Sequence, residues 1–189
     1  MDVIELAGFK VSKLMCDPES AYVSVAEQLK SDGHKVDIGA PGQHVPVVER
    51  RHRTLKERAR AMVASLPYRL AGELVPHLVT AATKSVNNSD SNTRQDHRSP
   101  YFLFTGRKLN VSTDLKTAFG SYVQATSKDT DNTMAPRTSG CIALYPDGNV
   151  QGSWTLFQLS TKRIIRRTHF KELPITDEVI MFMNKMAKD

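Results

Sequence analysis

Thiols are scarce in this chain: Cys16 and Cys141 are the two cysteines among 189 residues, far apart and outside any Cys-x-x-Cys or His-x-His pattern. That spacing argues against a disulfide framework and against a zinc site, and it points to a reducing compartment. Long apolar runs are missing too. No stretch approaches the roughly 18–20 residues that a bilayer span needs. The start, Met1-Asp2-Val3-Ile4-Glu5, has neither the basic n-region nor the apolar h-region of a signal peptide. The reading is of an intracellular protein with no membrane partner. Aromatic residues make up 7% of the chain, and the single tryptophan, Trp154, reads either as the core anchor of a small β-domain or as a base-stacking platform. His34, His44, His52, His77, His97 and His169 form no ligand pair and read as surface or turn residues. His44 stands out only because it falls in a loop that borders the candidate site below.

Basic charge is plentiful by contrast. A net charge of +6 and a pI near 9.4 favour a polyanionic partner. Hydrophobic residues at 40% supply one ordinary core, or two small ones joined by a linker.

Along the chain, Phe9, Val11 and Leu14 alternate loosely up to Asp17-Pro18, which predicts a short strand ending near Cys16. Val23, Ala26 and Leu29 recur at helical spacing over residues 20–30, and Asp32-Gly33 ends that helix. A second short strand follows at 35–38. The glycine- and proline-rich stretch Gly39-Ala40-Pro41-Gly42-Gln43-His44 is a loop, and Pro46 suits the first position of the next helix. Val48, Leu55, Ala59, Met62, Val63 and Leu66 form one apolar stripe on that helix, which Pro67 ends, while Arg50, Arg51, Arg53, Lys56, Arg58 and Arg60 crowd the rest. Another helix is expected over 71–83 with Leu74, Leu78 and Val79 inward, Pro76 either falling in its first turn or kinking it. Residues 85–99 are polar throughout and read as a linker. Beyond them, strands are expected at 101–104, 118–124, 141–145, 154–159 and 163–167, as in a small β-barrel or curled sheet. A last helix, capped by Thr176 or Asp177, carries Val179, Ile180, Met183 and Met186 on one face.

The candidate chemistry lies in Asp17, at a strand's carboxyl end, and Glu49, in the first turn of a helix. Carboxylates so placed can converge on a hard cation such as Mg²⁺, and two-metal phosphoryl transfer needs such ligands. The plainer alternative is that Asp17 caps a turn and Glu49 pairs with Arg53 four residues on. Arg53 and Lys56 follow Glu49 on the same helix face, where a nucleic-acid backbone would meet both in succession. The alternative for these cations is a solvated face, with Glu49 and Glu57 as the few compensating acids. Arg163, Arg166 and Arg167 read either as a second DNA-binding stripe or as an exposed strand protected from edge pairing.

The stretch Phe9-Lys10-Val11-Ser12-Lys13-Leu14-Met15-Cys16-Asp17, followed by Val48-Glu49-Arg50-Arg51-His52-Arg53-Thr54-Leu55-Lys56, resembles the catalytic core of retroviral and retrotransposon integrases. Asp17 and Glu49 are 32 residues apart, near the spacing that family keeps between its second aspartate and its glutamate. Ser99-Pro100-Tyr101, Thr105-Gly106-Arg107-Lys108, Phe119-Gly120-Ser121-Tyr122-Val123, Cys141-Ile142-Ala143-Leu144 and Thr161-Lys162-Arg163-Ile164-Ile165 resemble the region after that core in copia-type polyproteins. The resemblance implies that Asp17 and Glu49 are catalytic, metal-binding carboxylates for Mg²⁺ or Mn²⁺. It also implies that Arg53 and Lys56 grip a DNA end, with Arg50 and Arg60 beside them. Two departures stand out: Pro18-Glu19 replaces an Asn-Gly pair, and Pro46 replaces a glycine. The family's first aspartate, carried on an earlier strand, has no counterpart in the 16 residues before Asp17.

The expected fold is therefore α/β: an incomplete ribonuclease H-like core over 1–84, a polar linker over 85–99, and a small β-rich, barrel-like domain with a C-terminal helix over 100–189. The expected function is that of a truncated integrase-like protein that binds retroelement ends and target DNA, forms a homo-oligomer, and works in the nucleus if it acts on chromosomal DNA. With one carboxylate missing, the chain alone is not expected to carry out end processing or strand transfer. The rivals are a non-enzymatic nucleic-acid-binding remnant or interaction module, and an unstable gene fragment.

Overall fold

The computed structural model describes residues 2–16, 20–39, 46–89, 98–127, 133–134 and 136–188. By their contacts they divide into two units, Met1–Thr54 and Leu55–Asp189. The dividing line falls inside one helix, and the boundary expected at 84/85 falls inside another.

The first unit is a single strand–helix–strand crossover. Strand β1 (Leu14–Cys16) pairs in parallel with β2 (Val36–Ile38), and α2 (Ser20–Ser31) connects them. A short helix α1 (Asp2–Leu6) precedes β1. Parallel strands cannot be joined by a tight turn, so the connection needs a helix. The backbone bonds from Leu14 N–H to Lys35 O and from Gly39 N–H to Cys16 O, 2.8 and 3.0 Å long, bracket the pairing. Apolar cover is thin. Ala26 of α2 is fully buried, while Phe9, Met15, Val23 and Val25 are exposed. Helix α3 (Pro46–Ala64) begins in this unit, with Pro46 as its first residue.

The second unit holds the main core. Five antiparallel strands, β3 (Tyr122–Thr126), β4 (Thr138–Pro146), β5 (Trp154–Gln158), β6 (Arg163–Arg167) and β7 (Phe170–Glu172), lie in the order β6-β5-β4-β3-β7. Ile142 and Leu144 of β4 and Phe157 of β5 face one cluster with Tyr68, Ala71, Leu74, Met183 and Met186. The last two come from the terminal helix α7 (Asp177–Met186). Helix α4 (Val75–Asn88), entered through a 3₁₀ turn at Gly72–Leu74, also packs against β4 and buries Leu78, Ala81 and Ala82. Val123, Ala125, Cys141, Ala143, Trp154, Leu156 and Phe170 make a second cluster on the opposite face. Burial on both faces explains why β4 and β5 read as continuous apolar runs instead of alternating. A register shift between Ala143 and Tyr145 marks a bulge in β4, which adds bend.

The sheet curls until its edges approach. Arg167 Nε of β6 donates to Thr126 O of β3 at 2.9 Å, and Thr126 N–H donates to His169 O at 3.1 Å. Trp154 lies inside the curl, 2% exposed. Its indole N–H donates to Thr113 O at 2.6 Å, and it meets Phe170 edge-on at 5.8 Å. It is a core anchor.

Two short helices, α5 (Pro100–Thr105) and α6 (Val111–Asp114), pin the β4–β5 hairpin. Arg107 is the clamp between them: Nη1 donates to Gly148 O at 2.6 Å, and Nη2 pairs with Asp114 at 3.2 Å. Asp114, almost fully buried, also accepts from Asn110 N–H at 3.0 Å. On the hairpin, the Asp147 carboxylate accepts from Ser153 Oγ and Thr155 Oγ1 at 2.5 and 2.6 Å, which closes the turn that Pro146-Asp147-Gly148-Asn149 announces. At Gly120, φ is +86°, and a Cβ there would lie 2.1 Å from a Leu66 methyl group, so only glycine fits. Its carbonyl takes the Tyr68 hydroxyl at 2.9 Å, and burial pushes that phenol's pKa up.

Several expectations need correction. Tyr101-Phe102-Leu103-Phe104 is helix, not strand, because Ser99 caps the Phe102 N–H at 3.2 Å, Pro100 opens the turn and left-handed Gly106 closes it. Residues 85–88 complete α4 instead of opening a linker, and residues 90–97 lie outside the described set. The strand expected at 118–124 runs from Tyr122 to Thr126. Val48, Val63 and Val79 are exposed, not inward. Strand β7 and helix α6 were not expected at all.

Asp114→Ala, which strands the Arg107 guanidinium and the Asn110 N–H, should cost about 3 kcal/mol in chemical denaturation; a loss under about 0.5 kcal/mol would show that the clamp carries no stability. Burial also pushes the Cys141 thiol pKa up, against the opposing influence of Ser139 and Arg167. A thiol reagent should therefore modify part-exposed Cys16 in the folded protein and reach Cys141 only on unfolding, which peptide mapping after timed labelling would check.

Candidate nucleic-acid interface

Helix α3 buries no residue. Leu55, Ala59 and Met62 are half-buried at spacings of four and three, which defines its packed side, and residues 46–54 are exposed all round. About a third of a turn round from the packed side, Glu49, Arg53, Lys56 and Arg60 recur at i, i+4, i+7 and i+11. On a helix that period draws one straight stripe about 16 Å long. Arg50 and Glu57 flank it, while Arg51 and Arg58 lie round the far side. All six cations are exposed. Four of them, Arg50, Arg53, Lys56 and Arg60, are the expected nucleic-acid contacts, and the helix brings them to one side.

The carboxylate pair stands differently. Strand β1 ends at Cys16. Asp17 itself, with Pro18 and Glu19, lies outside the described residues, as does His44. Glu49 is in the first turn of α3, exposed. Among the described residues no group of three or more His, Cys, Asp or Glu side chains comes together.

A second basic surface lies where the edges of the sheet meet. Arg166, Arg167 and His169 line a cleft there with Ser127, Asn149 and Gln151. Arg167 is held by two backbone carbonyls, Thr126 O at 2.9 Å and Arg166 O at 2.8 Å. Arg166 reaches to 3.9 Å from Asp147 yet keeps 78% of its side chain exposed. Sequence reasoning named both arginines as one of two alternatives. It could not name Asn149, Gln151 or Ser127, because only the folded curl puts these loops together. His77, expected to be a surface or turn residue, is half-buried on α4, its Nδ1 3.2 Å from the Tyr145 hydroxyl, and burial lowers its pKa.

Among the described residues no helix is long and apolar enough to cross a membrane. Compared with models of protein families and with curated proteins, the chain matches none.

Exposed charges of one sign contribute repulsion, not packing. Changing Arg53, Lys56 and Arg60 together to Gln should leave stability within about 0.5 kcal/mol of the parent or slightly higher. A melting temperature several degrees lower would show that these side chains are structural and would remove the stripe as an interface.

Proposed function

We propose that the chain is an integrase-like DNA-binding protein whose principal contact is the cationic stripe of α3. The observation that carries this reading is the alignment of Arg53, Lys56 and Arg60 on one exposed helix face, with Arg50 beside them. Phosphates recur every 3.4 Å per strand of duplex, so a stripe of this length faces several of them. Contacts of this kind position DNA and carry no base information. Under the same reading the first unit belongs to a ribonuclease H-like core, and Asp17 and Glu49 are two of the carboxylates of an integrase triad. Retroelement ends and target DNA are the partners, with a homo-oligomer and a nuclear site of action.

A second reading is favoured by the cleft of Arg166, Arg167 and His169. Two separate basic surfaces suit a non-enzymatic nucleic-acid-binding module whose contacts owe nothing to the carboxylates.

Fluorescence anisotropy with a labelled duplex, run from low to moderate salt, tests the proposal. The parent should lose affinity steeply with salt, and the Arg53→Gln/Lys56→Gln/Arg60→Gln variant should flatten the log–log slope by about 3, near 1 per lost phosphate contact. An unchanged slope in the variant would sink the stripe as the contact. Strand transfer in Mg²⁺ or Mn²⁺ that Asp17→Asn or Glu49→Gln abolishes would exclude the non-enzymatic reading.

A further inference from the structure

A cavity of about 360 Å³ opens in the second unit between the end of α3, α4, the chain after α6, and β4. Its floor is apolar. Ala81 and Leu144, both buried, form it, and Leu115 and Phe119 wall one side. A space of this size is in the range that binds small molecules rather than a single water.

Two polar groups in this lining have unmet demands. Thr117 Oγ1 is buried with no hydrogen-bond partner, an arrangement that native structures rarely tolerate unless something else fills the need. Lys84 also lines the cavity, and its contacts are neutral: Asp147 O at 3.4 Å and the face of the Tyr145 ring at 5.6 Å. The one acid in the lining, Asp114, is already matched by Arg107 and the Asn110 N–H. An ammonium group beside apolar walls, with no carboxylate in ion-pair range among the described residues, prefers an anion that brings apolar surface with it.

We propose that this cavity is a binding site for a small amphipathic anion, a carboxylate on a flat or branched apolar body of roughly 12–18 non-hydrogen atoms. The apolar body rests on Ala81, Leu144 and Phe119, and the carboxylate accepts from Lys84 Nζ. The site is independent of the nucleic-acid reading, since no residue of the α3 stripe lines it.

The test is an NMR titration of the full ¹⁵N-labelled chain with naphthalene-1-carboxylate, set against the neutral naphthalen-1-ylmethanol. Saturable one-to-one binding is expected, with shifts concentrated at residues 81–89 and 114–119. The carboxylate should bind about tenfold tighter than the alcohol, the worth of one charge-assisted contact. Lys84→Met, which keeps the chain length, should abolish that preference while the alcohol still binds. Thr117→Val should melt higher than the parent, because the stranded hydroxyl is gone. The Arg53→Gln/Lys56→Gln/Arg60→Gln variant should bind the carboxylate as the parent does, so failure of the DNA reading leaves this result intact. Shifts that do not saturate in the millimolar range would overturn the proposal. So would shifts spread over the surface, or equal affinity for the two probes.

Discussion

Strands β6 and β7 are the two edges of the sheet, yet only Thr168 and His169 separate them in the chain. The three steps from Arg167 to Phe170 span at most about 11 Å, whereas a flat sheet of five strands would hold its edges about 19 Å apart. The sheet therefore has to curl, and much else follows. Curling encloses Val123, Cys141, Trp154 and Phe170, so the inner face requires apolar residues of its own in addition to those that α4 and α7 cover outside. It also leaves little open edge for another chain to pair with, since Arg167 and His169 stitch the seam to β3.

The clamp at Arg107 solves a problem that the curl creates. The mouth between β4 and β5 ends in a polar turn directly beside a buried tryptophan. Polar groups at such a place have to be paired or they cost stability. Asp147 takes both hydroxyls of the returning strand, Gly148 O takes the guanidinium, and Asp114 neutralises that guanidinium from beneath. The same loop delivers Thr113 O to the Trp154 N–H, so one short segment satisfies the charged and the aromatic groups together. The run Thr105-Gly106-Arg107 thus has a local physical reason: the glycine ends α5 in a left-handed turn, and the arginine is then aimed at the hairpin.

What could be read from the sequence follows from how local each signal is. Helix α3, strand β6 and the turn at Pro146-Asp147-Gly148-Asn149 are written in short-range periodicity and turn chemistry, and they lie where these place them. The strand read at 101–104 failed because four apolar, β-favouring side chains outweighed the caps on either side, although Ser99-Pro100 and Gly106 form a helix start and stop that the text itself contains. Strand β7 was illegible for another reason: at three residues it has no period, and its pairing partner lies far off at residues 123–125. At the candidate site the α3 stripe was legible because one helix supplies all of it. The cleft of Arg166 and Arg167 was half legible, since its arginines are adjacent in sequence and its amides come from other loops.

The stripe also shapes the energetics of the helix that bears it. Six cations against two acids within 19 residues leave like charges at i+3 and i+4, each such pair costing a few tenths of a kcal/mol. The first half of α3 has little buried surface to offset this, because residues 46–54 are exposed on every side. Hydrophobic burial begins only at Leu55, where the second unit begins as well. Packing thus holds the helix from Leu55 onward, and its first half must rely on backbone propensity, on Pro46 at the start, and on relief of repulsion. A polyanion laid along Arg53, Lys56 and Arg60 would supply that relief and bind the helical form more tightly than an unwound one, so the proposed DNA contact would be linked to helix stability through the same charges. The repulsion that makes α3 costly as an isolated surface is what would favour a partner of opposite sign.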